Sequence, residues 1–258
     1  MGSLAGEAPD SLAIVIPTYN ERPNVEPLLR EFATLNNKWA HSFHIILVDD
    51  SSPDGTGQAA LRLGEQLGLS VTVLSRPPPR SLGSAIATGI AHTDATVVCV
   101  MDADLSHPPS LLPAMLERLD GFDGVVASRY ISGGHIAEWP AHRRVISYIA
   151  TALARSVIKG QCTDPLSGYF VLRKPAIQSV RITGLGNKPL LEVLSQASLA
   201  VQEIPYEFRN RQNGRSKLSL GGILSFARLL AVSTARLRAN GRDIQTQIDG
   251  KISEFRDS

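Results

Sequence analysis

Apolar positions in the first half of the chain come in short runs, each followed by a stretch of helical spacing. "SLAIVIPTY" (Ser11–Tyr19) is a β-branched run that closes near a proline, and "NERPNVEPLLREFATL" then repeats its apolar residues at helical intervals. The same alternation returns in "FHIILVDD" and "QAALRLGEQLG", and in "SVTVLSR" and "SLGSAIATGIAH". It returns again in "ATVVCVMDAD" and the proline-opened "PPSLLPAMLERL", before a last short run, "GVVASRY". Strands apolar throughout their length and separated by helices predict an α/β fold, with a mostly parallel central sheet covered by helices on both faces. Sheets of that kind gather ligands at the carboxyl ends of their strands.

Those ends are where the polar residues cluster. Pro17, Tyr19 and Glu21 follow the first run, Asp49 and Asp50 the second, Asp102 and Asp104 the fourth. A bare carboxylate in an apolar setting costs several kcal/mol unless it is compensated, and a divalent cation is a common compensator. If the fourth strand runs on through Asp104, alternation sends Asp102 and Asp104 to the same side. One Mg²⁺ or Mn²⁺ between them suits these hard oxygen ligands and a diphosphate, and Ser106 adds an oxygen if the chain stays extended. Two solvated acids, or the flanking pair of a glycoside hydrolase, are the competing readings. The hydrolase pair faces its bond from opposite sides, which same-side carboxylates do not do.

The second half changes character. "HRRVISYIATALARSVIKG" sets Arg143, Arg144, Arg155 and Lys159 around an apolar helical stripe, and "RNRQNGRSK" places Arg209, Arg211, Arg215 and Lys217 within nine residues. Residues 218–238 are again amphipathic, with Arg228 interrupting the apolar face. "KPLLEVLSQA" reads as a short helix and "VQEIPYEF" as a strand. The expected organisation is a flexible N-terminus (1–10), a catalytic domain (11–217), and an amphipathic interfacial helix with a polar tail (218–258). No internal repeat interrupts it.

Composition narrows the function classes. With 26 Lys and Arg against 24 Asp and Glu, and aromatic residues at 5%, the chain has neither the basic field nor the stacking platforms of a nucleic-acid binder. The two cysteines, Cys99 and Cys162, have no metal-ligand spacing and fit a reducing compartment. No secretory signal opens the chain, and no run reaches the roughly eighteen apolar residues a membrane span needs.

Four segments in order, "IPTYNE", "VDDSSPDGT", "MDADLSHPP" and "RQNGRSKL", resemble the family 2 glycosyltransferases and, within them, the polyprenyl-phosphate mannosyltransferases of the dolichol-phosphate mannose synthase type. The resemblance spans about Leu12 to Leu220. It implies an A-type glycosyltransferase fold that takes GDP-mannose as donor and a polyprenyl phosphate such as dolichyl phosphate in the membrane as acceptor. It also implies small membrane-anchoring subunits as partners. By motif position Pro17, Tyr19, Glu21, Val48 and Asp50 bind the guanosine part. Asp102, Ala103 and Asp104 carry the metal and diphosphate with Ser106 beside them. Arg129, Arg143, Ser147, Arg211 and Lys217 hold the phosphates of donor and acceptor, with Asp104, Arg129, Arg211 and Lys217 at the reacting centre. A glucosyltransferase that uses UDP-glucose is the alternative. "PPPRSLGSA" departs from the Gly-Leu-Gly stretch of many relatives, so Arg80 receives no role from the motif.

Chemistry agrees with the motif reading. A leaving diphosphate needs a metal and cationic side chains. A lipid phosphate is already an anionic nucleophile near neutral pH, since its second pKa is about 6, so no general base is required. His107 is the nearest candidate base, and the two prolines after it favour a role in a turn. In-line attack predicts inversion, hence a β-linked product. Gly214 marks the basic loop as a closing active-site loop, while the two amphipathic stretches predict a peripheral protein on the cytoplasmic face of a membrane. That membrane is the endoplasmic reticulum in a eukaryote or the plasma membrane in a prokaryote.

Overall fold

The computed structural model describes residues 11–137, 139–158, 160–209 and 221–236. Seven strands form one sheet: β1 (Leu12–Thr18), β2 (Phe43–Asp49), β3 (Val71–Ser75), β4 (Val97–Val100), β5 (Gly124–Ser128), β7 (Phe170–Arg173) and β8 (Val201–Pro205). Their order is β3-β2-β1-β4-β7-β5-β8. The first four strands pair in parallel, as do β5 and β8. β6 (His135–Ile136) and β9 (Glu207–Phe208) make a separate two-stranded ribbon.

The helices are α1 (Arg22–Lys38), α2 (Thr56–Gln66), α3 (Leu82–His92), α4 (Leu112–Glu117), α5 (Ala141–Ser156), α6 (Pro189–Leu194) and α7 (221–236). Both faces of the sheet are covered because the strands carry apolar residues at every position. In β1, Leu12, Ile14 and Ile16 join the cluster with Leu28, Phe32, Ala60 and Met115 of α1, α2 and α4. The residues between them, Ala13 and Val15, join Ile86, Ala154, Leu190 and Leu229 of α3, α5, α6 and α7. Fully burying one such aliphatic side chain is worth about 1.5–3 kcal/mol, which is why a sheet apolar on both sides requires both layers.

Two expectations are corrected. The sequence reading placed no strand at "FVLR", yet β7 lies between β4 and β5 and is antiparallel to both. A four-residue run without alternation carries no period that separates strand from helix. The second correction concerns β4, which ends at Val100, so Asp102 and Asp104 sit in a bend beyond it and strand alternation does not aim them. Leu105 is left-handed (φ 66°), so Ser106 does not continue an extended register.

Candidate active site

A cavity of about 390 Å³ opens at the carboxyl ends of β1, β2 and β4. Pro17, Thr18, Tyr19 and Glu21 line it from β1, Asp50 from β2, and Asp102, Ala103 and Asp104 from beyond β4. Arg80, Ser81, Leu82 and Ala85 close it from the start of α3, and Asn187 from the loop before α6. Seven of the residues singled out in the sequence thus share one space: Pro17, Tyr19, Glu21, Asp50, Asp102, Ala103 and Asp104.

The two aspartates at the end of β2 do different work. Asp49 is buried and closes the turn to α2, accepting from the Ser52 amide (3.2 Å), the Ser52 hydroxyl and Thr18 Oγ1 (3.3 Å). Asp50 faces the cavity and pairs with Arg76 at 3.1 Å. Burial raises the Asp50 carboxyl above its ordinary pKa, against the pull of Arg76 and Arg80. Arg80 donates from Nε to the Asp50 carbonyl oxygen (2.8 Å) and lies over the Tyr19 ring at 4.2 Å. The structure therefore gives Arg80 a position the motif did not: it ties the β1 and β2 tips to the start of α3.

Asp102 is half-buried and Asp104 buried. Ser106 donates its backbone N–H (3.1 Å) and its hydroxyl to Asp104 Oδ1. Ser106 is fully buried and does not line the cavity, so it braces Asp104 rather than reaching a ligand. Among the described residues no group of three or more His, Cys, Asp or Glu could cage a metal. The chemistry of the pair still fits Mg²⁺ or Mn²⁺, which binds through one or two carboxylates and fills its remaining positions with substrate phosphates and water.

Several predicted residues lie elsewhere. Val48 is buried in the sheet beneath the cavity, with no side-chain surface on it. Arg129 is also displaced from its expected role: its guanidinium grips buried Asp164 through Nε and one terminal nitrogen, both at 2.7 Å. Burial opposes the Arg129 charge, but the Asp164 carboxylate outweighs it and holds the guanidinium pKa above its ordinary value. A fork already filled by a carboxylate is a structural pillar, not an open phosphate ligand. Arg143 and Ser147 stand one turn apart on α5, outside the cavity lining. Arg143 lies over the Trp139 ring at 3.9 Å, and Ser147 Oγ accepts from the Tyr130 hydroxyl at 2.8 Å. Arg211 and Lys217, with Lys159, the N-terminal segment 1–10 and the tail, lie outside the described residues.

The sequence reading missed Asn187. Glu192, buried in α6, holds its loop by accepting from the amides of Thr183 (2.8 Å) and Gly184 (3.1 Å) and from Thr183 Oγ1 (2.5 Å). Gly83 and Gly184 then let that loop and α3 touch: a Cβ on Gly83 would stand 2.3 Å from the Gly184 Cα. The turn signal was present in "GLGNKP", ahead of a proline-opened helix.

Comparison with known proteins matches the glycosyl transferase family 2 model to residues 13–181. A dolichol-phosphate mannosyltransferase of Pyrococcus furiosus is 36% identical over 222 residues, covering 84% of this chain and 62% of that protein. A dolichol-phosphate mannosyltransferase of Saccharomyces cerevisiae is 34% identical over 229 residues, covering 84% of this chain and 85% of that protein. Among solved structures, the glucosyl-3-phosphoglycerate synthase of Mycobacterium tuberculosis, in complex with Mn²⁺, UDP-glucose and glycerol 3-phosphate, has a TM-score of 0.64. It is 19% identical, with 88% of this chain and 80% of that one covered, a likeness of fold. The chain therefore belongs to glycosyl transferase family 2 and has its A-type glycosyltransferase fold.

Proposed function

We propose that this enzyme transfers mannose from GDP-mannose to the phosphate of a polyprenyl phosphate, inverting the anomeric carbon. The observation that carries the reading is the single cavity where Asp102 and Asp104 share space with Asp50 and Tyr19 at the strand ends. The names of the archaeal and yeast relatives support the sugar and the acceptor class. The nucleoside lies toward Tyr19, Glu21 and Asp50, and the diphosphate toward Asp102 and Asp104. A divalent cation held by Asp102 and Asp104 would supply charge neutralisation for the leaving diphosphate. An acceptor phosphate oxygen forms the new bond to the anomeric carbon as the bond to GDP breaks. The nucleophile is already anionic, so no proton has to be removed from it.

The acceptor's hydrocarbon tail calls for a membrane, and the outer faces of two helices suit one. α5 exposes Val145, Ile146, Tyr148, Ile149 and Leu153, and α7 exposes Ile223 and Leu224. Arg144 and Arg155 flank the α5 patch on the same exposed helix. No helix among the described residues is long and apolar enough to cross a membrane. Apolar area rimmed by arginine is the pattern of a helix lying in the lipid interface. We place the catalytic unit within 11–217 and assign 218–258 to membrane association, on the cytoplasmic face where the nucleotide sugar is available, with small anchoring subunits as partners.

The test is transfer of labelled sugar from GDP-mannose and, separately, UDP-glucose to a short polyprenyl phosphate with Mg²⁺ or Mn²⁺. Mannose in the lipid phase, lost on chelation and in Asp104→Ala, supports the proposal. Transfer only from UDP-glucose would overturn the donor, and undiminished transfer under chelation would overturn the metal's role.

A further inference from the structure

His107 follows the two carboxylates by a few residues and is 1% exposed. Its ring is stacked on Tyr169 (centroids 5.2 Å, planes 26° apart), with Tyr206 and Phe208 packed at its other sides (6.0 and 5.8 Å). Tyr169 in turn donates its hydroxyl to the Pro108 carbonyl (3.0 Å), so the same aromatic fixes both ring and chain. Gly168 completes the enclosure, because a Cβ there would stand 3.1 Å from His107 Cε1 and 3.3 Å from Asp102 Oδ2. In this enclosure Nδ1 points at the Asp102 backbone and accepts its N–H at 3.0 Å.

That bond matters because of where β4 stops. The Met101 amide still bonds to the Val15 carbonyl at 3.3 Å, but β4 has ended, and Leu105 turns left-handed. Sheet pairing therefore does not hold the segment that carries Asp102, Ala103 and Asp104. Local contacts hold it, among them those of Ser106 to Asp104 and of His107 to the amide of Asp102.

We propose that His107 is a positioning residue for the cation and diphosphate site: its Nδ1 clamps the Asp102 amide, closing the 102–107 turn so that both carboxylates face the cavity. The proposal rests on the reading of Asp102 and Asp104 as the metal and diphosphate site. The group is needed for an acceptor at one place on a flat ring, not for acid–base chemistry. With its backbone N–H held by Nδ1 and its carboxylate lying close over Gly168, Asp102 has little freedom to turn away from the cavity. Residues that orient a metal's ligands typically change affinity about 10–100-fold when removed.

Two substitutions separate this role from simple packing. In His107→Asn the amide oxygen occupies nearly the place of Nδ1 and keeps the acceptor. In His107→Gln the amide reaches toward the place of Nε2 and loses it. The readouts are Mn²⁺-dependent GDP affinity by calorimetry and thermal unfolding of each ligand-free protein. Similar losses of melting temperature in both variants, with GDP·Mn²⁺ binding near wild type in Asn and weakened about tenfold or more in Gln, support the proposal. Equal affinities in the two variants overturn it. In ligand-free wild type, ¹⁵N NMR should show an unprotonated Nδ1 with a coupling across the hydrogen bond to the Asp102 amide, and a protonated Nδ1 overturns the clamp whatever the enzyme binds. If wild type fails to bind GDP with Mn²⁺ while the coupling is present, the functional reading falls and with it the role at a metal site, but the clamp itself stands.

Discussion

Asp164→Asn is the sharpest perturbation this fold offers. The Asp164 side chain has no exposure and accepts from the Arg129 backbone N–H (3.1 Å) and twice from its guanidinium (2.7 Å each). Its amide donates in turn to Glu203, which also holds the Thr163 amide. The Asn side chain has nearly the same shape, so packing survives while the charge and one acceptor are lost. Arg129, only 8% exposed, then remains as a buried cation. Leaving one partner of a buried pair uncompensated costs about 3–5 kcal/mol. At roughly 2–4 °C per kcal/mol for a chain of this size, the melting temperature should fall by about 6–20 °C. Urea unfolding gives the free energy directly. Asp164→Leu combined with Arg129→Met removes both charges and should recover most of the loss, because the orphaned cation is gone. Arg129→Lys should not be neutral, since a lysine cannot make the two-pronged contact. A loss below about 1 kcal/mol for Asp164→Asn, the range of an exposed pair, would refute the reasoning and return Arg129 to the pool of free phosphate ligands.

Other expected outcomes follow from the site and its supports. Asp102→Asn, on a half-exposed side chain, should leave unfolding within about 0.5 kcal/mol yet lower kcat/KM on the order of 100-fold or more through lost charge stabilisation, read by stopped-time transfer assays. Gly83→Ala should overpack the contact with Gly184, costing about 1–3 kcal/mol and raising KM for the donor as Asn187 is displaced. Ile149→Glu, on the exposed face of α5, should reduce vesicle binding about 10- to 150-fold by removing about 1.5–3 kcal/mol of apolar burial, with melting unchanged in flotation and calorimetry runs side by side. Because the Asp50 carboxyl is raised by burial, the folded state binds its proton more tightly than the unfolded chain does. This group's contribution to stability therefore grows as pH falls through the window between its unfolded and folded values. Asp50→Asn should flatten that part of the pH–stability curve, and an unchanged slope would contradict the assignment.

The strands and helices of the first half were legible because each buried strand keeps its apolar run and each helix its period. The acidic strand ends were legible for a related reason, as carboxylates abutting such runs need a purpose. What periodicity could not supply was direction. Nothing in "FVLR" says that it runs against its neighbours, and nothing in "MDADLS" says that the strand stops two residues before Asp102. Pairing was equally hidden: Arg129 read as a free cation because Asp164 lies 35 positions away along the chain, and Arg80 lacked a place until Tyr19 and the Asp50 carbonyl were beside it. Asn187 reaches the cavity through a contact between its loop and the first turn of α3, about a hundred positions earlier in the chain.

The reversed strand β7 also sets an order of assembly. β1 to β4 and their helices come from one continuous stretch and can pair as that stretch is made. β7 cannot be placed until a long excursion has returned, with Cys99 waiting for Val171, and Val126 then settling against Phe170. Closing that loop carries an entropic cost before any pairing repays it, and distant pairings of this kind slow folding. Until β7 arrives, the exposed edge of β4 is an open template for another chain. Destabilised variants in this half should thus fail by aggregation during synthesis rather than by loss of the finished site.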